Sequence, residues 1–126
     1  MKSFVASVLA IIALASTSTA APAARGVPGN VQLCTGSNWN GCEIHNFDIT
    51  TPFNCQPLPS RFTEHLGSIG PDAGAICRIY TDSSCAEKYN TVITQRPGID
   101  NLYSYKGKDV GHTARFILCG ACSNCL

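Results

Sequence analysis

Eight cysteines in a chain of 126 residues restrict its fold more than any other feature of the sequence. An even number of cysteines in a short exported chain predicts a disulfide framework, because thiols oxidise outside the reducing cytosol. A domain this small buries little apolar surface, and each native bridge adds roughly 2–4 kcal/mol by restricting the unfolded chain. We therefore expect all eight to be oxidised in four bridges: Cys34, Cys42, Cys55, Cys77, Cys85, Cys119, Cys122 and Cys125.

The spacing of the cysteines favours two local pairs without deciding the full connectivity. Cys34 with Cys42, and Cys77 with Cys85, each enclose seven residues that include turn formers. A hairpin would bring the ends of each segment within the Cα separation that a disulfide needs. In the alternative, the same spacing places each cysteine against a strand from the other half of the chain.

The first twenty residues have the layout of a secretory signal peptide. A charged start at Lys2 precedes an apolar run over residues 4–15, and small residues end at Ala20. This run is too short to cross a bilayer, which needs about 20 apolar residues. We expect a signal peptide over residues 1–20, a short leader over 21–30, and one domain with a cysteine-rich tail over 31–126. The expected location is extracellular.

Charge excludes two classes of partner. The chain has nine Lys and Arg against eight Asp and Glu, and only 13% of its residues are charged. A nucleic-acid binder or a polybasic membrane binder would carry a basic excess. Loss of residues 1–20 would remove Lys2 and no acid, which also argues against a cationic membrane-lytic peptide. We therefore expect no nucleic acid and no stable membrane insertion, and an extracellular target that the sequence does not identify.

Short runs of β-branched and aromatic residues, separated by turn residues, predict an all-β domain. No window of helical length carries an apolar stripe, although residues 60–69 accommodate one short helical turn. The predicted strands cover residues 31–34, 42–47, 75–80, 89–94, 102–105 and 114–119.

A weak internal repeat divides the domain into two halves. An offset of 46 aligns residues 33–35 with residues 79–81, and it places Trp39 on Cys85. The cysteine spacing suggests an offset of 43 instead, and the two offsets are incompatible. We prefer 46, because it superposes a strand and its turn together.

Residues 34–41 resemble the first hairpin of a βγ-crystallin Greek-key motif, which reads aromatic, four residues, aromatic, one residue, glycine. Trp39 and Gly41 fit this pattern, while Cys34 replaces the first aromatic. In the second half Tyr80 fits, whereas Cys85 and residue 87, a glutamate, depart from it.

Residues 66–74, followed by a cysteine-bearing strand, are similar to small secreted cysteine-rich proteins of fungi with that fold. The resemblance covers roughly residues 31–119. It implies two Greek-key motifs that form a compact, disulfide-stabilised βγ-crystallin-like sandwich.

Metal sites are not expected, although two features suggest them. The calcium motif of the family aligns with residues 63–68 and 108–113, where Gly67 and Lys108 stand in place of oxygen donors. Calcium takes six to eight oxygen ligands, so neither segment is well equipped. The CxxC units of the tail could bind zinc only as reduced thiols, which export disfavours. We predict no metal and no cofactor.

The sequence contains no recognisable catalytic motif. His45 shares a strand face with Glu43, which predicts an exposed pair, whereas His65 and His112 have acidic neighbours that we expect on opposite faces. No GxSxG, HExxH or phosphate-binding glycine loop is present. We therefore predict no catalytic residue and no enzyme activity.

Aromatic residues provide the candidate binding surface. The resemblance places Trp39 in a hairpin position that packs inward, whereas Tyr103 and Tyr105 are predicted to share an exposed strand face. Export, cysteine density and small size favour a secreted, non-enzymatic protein that is effector-like or antimicrobial and toxin-like. One alternative is a structural component of the cell wall or surface; another is a secreted hydrolase or protease inhibitor.

Overall fold

The computed structural model describes residues 26–86 and 90–122. The predicted signal peptide, residues 21–25 of the leader, residue 87 and Cys125 lie outside the described residues. No helix within the described ranges is long and apolar enough to cross a membrane. The described residues form a short 3-10 helix over Leu102–Ser104 and seven strands: β1 Asn30–Gly36, β2 Asn40–Asn46, β3 Gln56–Pro57, β4 Ser68–Pro71, β5 Ala75–Tyr80, β6 Asn90–Gln95 and β7 Phe116–Ala121.

Two antiparallel sheets form the sandwich, and each half of the chain contributes to both. The strand order is β2-β1-β4 in one sheet and β3-β7-β5-β6 in the other. The first half therefore sends β3 to the second sheet, where it pairs with β7. The second half contributes Ile99 to the first sheet, where this residue forms an isolated antiparallel β-bridge with Ile69 of β4. This exchange interlocks the halves and confirms the predicted all-β architecture of two Greek-key motifs.

The register of the two sheets supports the repeat offset of 46. Leu33 of β1 lies opposite Ile69, and Ile79 of β5, 46 residues after Leu33, lies opposite Ile117. Trp39 and Cys85, which the same offset aligns, both have positive φ angles of 63° and 50°. The offset of 43 suggested by the cysteine spacing is therefore wrong.

The core lies between the sheets and is filled from both halves. Leu33, Ile69, Ile79 and Ile117 are each fully buried. Complete burial of an aliphatic side chain contributes about 1.5–3 kcal/mol, so this facing set is a principal source of stability. Phe62 and Leu102, from the segments between strands, are fully buried with them.

Two local predictions are wrong. Most of the predicted strand over residues 102–105 is the 3-10 helix Leu102–Ser104, because the Asn101 side chain caps the helix by accepting from the Tyr103 N–H at 3.1 Å. The strand β4 was not predicted, since its Gly70-Pro71 pair is typical of a turn. β4 forms because it is buried and pairs with β1. The predicted helical turn is present, and the Thr63 N–H donates to the Pro59 carbonyl.

Three disulfides join described residues, and they correct one predicted pairing. Cys34–Cys42 is confirmed across β1 and β2. The pairing of Cys77 with Cys85 is wrong, because Cys77 faces Cys119 in the β5–β7 ladder and Cys85 bonds Cys55. Cys122 is also disulfide-bonded, and no described cysteine is free.

Candidate binding cleft

A cleft of about 410 Å³ opens between the first hairpin and residues 97–105. Its volume is in the range of about 300–1,000 Å³ that is usual for small-molecule sites. One wall is the hairpin residue Trp39, and the other is a loop that leads into the 3-10 helix. The lining residues are Trp39, Pro97, Gly98, Ile99, Asp100, Asn101, Ser104 and Tyr105.

Trp39 packs inward, as predicted, and forms part of the cleft wall as well. Only 8% of its surface is exposed, which confirms the core position. Its φ angle of 63° belongs to the tight hairpin between β1 and β2, where Gly41 also has a positive φ of 68°. The folded hairpin therefore turns the indole onto the domain and leaves only a small part of it open to the cleft.

Ser68 contacts both walls of the cleft through its buried hydroxyl. Its side chain is fully buried, and its Oγ donates to the Gly36 carbonyl at 2.7 Å and accepts from the Trp39 N–H at 3.1 Å. The same Oγ lies 3.4 Å from the Asp100 carbonyl, which accepts the Asn38 N–H at 2.6 Å. The hairpin and the loop are thus held in one geometry.

Replacing Ser68 by alanine is expected to lower the free energy of unfolding by about 1–3 kcal/mol, because the buried Trp39 N–H loses its acceptor. Urea denaturation of the two proteins measures the difference. The matched control is Ser104→Ala, an exposed serine of the same cleft, which should change stability by less than about 0.5 kcal/mol. Equal effects of the two substitutions would contradict the structural role of Ser68.

Three polar side chains of the cleft have unused hydrogen-bonding capacity. Asp100 and Ser104 are exposed, and neither side chain has a partner among residues 26–86 and 90–122. Asn101 uses its Oδ1 to accept from the Tyr103 N–H at 3.1 Å, which leaves its amide N–H groups as donors. The cleft therefore offers a carboxylate, a hydroxyl and an amide beside its apolar wall.

The predicted binding residues Tyr103 and Tyr105 do not share a strand face. Tyr103 is half-buried, donates its hydroxyl to the Thr35 carbonyl, and stacks on His112 with ring centroids 4.4 Å apart. Desolvation and the Asp109 charge raise the pKa of Tyr103. Tyr105 is half-buried against the core and lines the cleft. Of the two, only Tyr105 is placed to meet a ligand there.

Glu43, the acid nearest to His45 in the strand, forms ion pairs on the protein surface. His45 and Glu43 share a face as predicted, with Nε2 and Oε1 2.9 Å apart, and Arg61 also pairs with Glu43. The hydrogen bonds from His45 and then Arg61 lower the pKa of Glu43.

The prediction that His112 and Asp109 point apart is wrong. Their side chains lie three residues apart in a turn, and Nδ1 meets Oδ2 at 2.7 Å. This hydrogen bond lowers the pKa of Asp109. Glu64, by contrast, pairs with Arg115 at 2.6 Å instead of His65. Glu43, Glu64 and Asp109 therefore all take part in ion pairs at the exposed surface.

A second exposed feature is the loop over residues 48–55, which sequence reasoning missed. Asp48 accepts from the Thr50 N–H at 2.8 Å and from its hydroxyl at 2.7 Å, and Asn54 donates to its other oxygen at 3.0 Å. The loop displays Phe53, which is 90% exposed. The Cys55–Cys85 disulfide anchors its end. The signal in the sequence is the Asp followed two residues later by Thr, which is typical of an Asx turn.

The stability contributed by Asp48 should disappear in acid. Hydrogen bonds from Thr51 and Thr50 hold the pKa of Asp48 far below its ordinary value. A depressed folded-state pKa contributes stability that is complete above about pH 5 and declines below about pH 4. Asp48→Ala should therefore lower the melting temperature at pH 7, and the difference from the parent should shrink at pH 2. A difference that is the same at both pH values would contradict this assignment.

The residues aligned with a calcium motif are occupied elsewhere. The Ser68 hydroxyl donates to the Gly36 carbonyl of the hairpin. Glu64 forms an ion pair with Arg115, and Asp109 is hydrogen-bonded to His112. Within the described ranges, no three His, Cys, Asp or Glu side chains form a group that could hold a metal ion. We expect no tight calcium binding, since too few oxygens are available. Titration calorimetry that gives a micromolar constant, with a rise in melting temperature, would overturn this expectation.

Comparison with solved structures identifies the fold. The βγ-crystallin domain of Abundant Perithecial Protein from Neurospora crassa, solved in its Ca²⁺-bound form, superposes with a TM-score of 0.52 at 11% identity, over 78% of this chain and 96% of that one. A structure from work on the evolution of the eye-lens βγ-crystallin domain fold gives a TM-score of 0.51 at 11% identity, over 80% and 95%. No protein-family model and no curated protein matches the chain. With its two interlocked Greek-key motifs, the described domain has a βγ-crystallin-like fold.

Proposed function

We propose that this chain is an exported, non-enzymatic protein that acts outside the cell by binding, in an effector-like or antimicrobial role. The observation that carries the proposal is the set of disulfides, with sequence separations of 8, 30 and 42 residues. Cross-links of this density are typical of small domains in oxidising compartments. Together with the signal-peptide pattern of residues 1–20, they support an extracellular site of action.

The chemistry of the cleft supports binding over catalysis. Among the described residues its lining contains no histidine, cysteine or lysine, and its single carboxylic acid is the exposed Asp100. General acid–base catalysis needs a titratable group positioned beside a second reacting group, usually with a shifted pKa. The lining residues instead combine aromatic surface with hydrogen-bonding groups, which is the composition of a recognition site.

The loop around Phe53 favours a second candidate, a secreted inhibitor of a protein target. Aromatic residues in rigid, exposed positions often anchor protein interfaces, because little conformational freedom is lost on binding. Phe53 fits this description, since the Asp48 hydrogen bonds and the Cys55–Cys85 disulfide hold its loop. Assay of the protein and of Phe53→Ala against a panel of secreted proteases tests this candidate.

The leading proposal is tested with the purified mature protein. We expect the oxidised protein to inhibit growth of competing microbes or to provoke a response in plant tissue. The same protein after reduction and alkylation should be inactive. Absence of both effects, with recovery of the protein in extracts of the producer's own wall, would contradict the proposal and favour a structural role.

A further inference from the structure

We infer that the cleft between Trp39 and Tyr105 binds a neutral carbohydrate. The inference rests on the proposed function, because it names the ligand class through which an exported binding protein would act. Nothing in the acid–histidine pairs or the Phe53 loop is needed for it. The lining of the cleft, its charge and the hydrogen bonds that hold its walls support the inference.

The apolar wall of the cleft suits the C–H face of a sugar ring. Trp39 and Tyr105 contribute aromatic surface, and Pro97 and Ile99 extend it with aliphatic surface. Aromatic rings offer a large, rigid apolar face at small cost in conformational entropy. Tyr105 is the main platform, because it is half-buried while Trp39 is only 8% exposed. The Lys106 Nζ lies 5.2 Å from the Tyr105 ring centroid, on a flexible side chain that a ligand can displace.

The polar side of the cleft matches a set of hydroxyl groups. A sugar hydroxyl both donates and accepts, so it can donate to the Asp100 carboxylate and accept from the Asn101 amide. Ser104 adds a hydroxyl that can take either role. All three are available, since the Asp100 and Ser104 side chains have no partner among the described residues and Asn101 uses only its oxygen.

Charge narrows the ligand to a neutral molecule. Asp100 is the one charged residue among the described lining residues, and the Lys106 ammonium lies over the adjoining Tyr105 ring, so the cleft has no excess charge of either sign that would favour an ionic ligand. A cationic ligand would pair with the Asp100 carboxylate. Its ammonium group only donates hydrogen bonds, so the Asn101 N–H groups would have no acceptor. A neutral polyol satisfies both groups, and its C–H face meets the aromatic wall.

The cleft is held in place before any ligand arrives. Ile69 and Ile99 exchange two backbone hydrogen bonds of 3.0 and 2.8 Å, and Ser68 connects the hairpin to the loop. Gly98 packs so closely that a Cβ there would lie 2.3 Å from the Ile69 carbonyl oxygen. Pre-organised walls lower the entropic cost of binding, which matters for the modest energies of sugar recognition.

The test is titration calorimetry of the mature protein with four probes. Cellohexaose, laminarihexaose and N-acetylchitohexaose are neutral, and the glucosamine hexamer is cationic. We expect at least one neutral probe to bind and the cationic probe to bind no better. Tyr105→Ala and Asp100→Ala should each weaken binding by about tenfold. Tyr105→Phe should retain most of it, because the ring face is kept.

The matched control is Ile44→Ala, which removes an exposed apolar side chain from β2, outside the cleft, and should leave the affinity unchanged. Circular dichroism of each variant verifies the fold. Absence of binding by every neutral probe overturns the inference, as does binding that Tyr105→Ala and Asp100→Ala leave intact. Binding of the cationic probe alone also overturns it.

The failure of the carbohydrate site can be told apart from failure of the proposed function. If the oxidised protein inhibits growth but binds no neutral probe, the proposed function is supported and the cleft is not a carbohydrate site. If it binds a neutral probe through Tyr105 and Asp100 but affects neither microbes nor plant tissue, the carbohydrate site is supported and the effector-like or antimicrobial role is contradicted.

Discussion

Replacement of both Cys77 and Cys119 by alanine is expected to lower the free energy of unfolding by about 4 kcal/mol. The bridge has a sequence separation of 42 residues, and the entropy it removes from the unfolded chain grows with the logarithm of the loop length. It also joins β5 to β7 within the buried face, where Cys77 is fully buried and Cys119 is 4% exposed. Denaturant unfolding monitored by circular dichroism measures the loss.

The matched control is the double replacement of Cys34 and Cys42. This bridge has a sequence separation of only 8 residues, so the same relation predicts a loss of about 2.5 kcal/mol. The order of the two losses tests the mechanism, because each variant removes one disulfide between paired strands, although Cys42 is half-buried where the other three cysteines are buried. A larger loss for the short loop would show that packing, and not restriction of the unfolded chain, sets the contribution of each bridge.

Gly98→Ala is the second substitution with a large expected effect, a loss of about 3 kcal/mol or more. An alanine Cβ would lie 2.3 Å from the Ile69 carbonyl oxygen and 2.7 Å from the Gly70 Cα, so backbone must move. The φ of 103° is also one that L residues rarely adopt. Thermal denaturation should show a much lower melting temperature, and the cleft should lose its shape with the Ile69–Ile99 bridge.

Gly107→Ala separates the two causes. Gly107 also has a positive φ, of 81°, but no described atom beyond its two chain neighbours lies within 4 Å of the Cβ position. Backbone strain alone should cost about 1–2 kcal/mol there. If Gly98→Ala is no more harmful than Gly107→Ala, the close approach of residue 98 to β4 does not limit the fold.

Local patterns were sufficient to predict the central strands. β5 was predicted with its observed limits, Ala75–Tyr80, because a short run with β-branched and aromatic residues lies there between turn signals. β4 was missed for the opposite reason, since Gly70 and Pro71 favour a turn and the strand depends on pairing with β1. Residues 102–105 were predicted as a strand, but the capping Asn101 makes a 3-10 helix over Leu102–Ser104.

Features that depend on distant residues could not be predicted. The pairing of Cys77 with Cys119 follows from the register of β5 and β7, which the spacing along the chain does not reveal. The cleft likewise joins Trp39 to residues 97–105, which lie about sixty positions later in the chain. Of its lining, sequence analysis predicted only Tyr105 as a binding residue, and it misassigned that residue to a strand.

The most direct test of this account is a disulfide map of the protein recovered from culture supernatant, obtained by mass spectrometry of unreduced proteolytic peptides. We predict an N-terminus after Ala20 and the links Cys34–Cys42, Cys55–Cys85 and Cys77–Cys119. An intact Met1 would contradict export. A link between Cys77 and Cys85 would contradict the strand register from which the sandwich and its cleft are built.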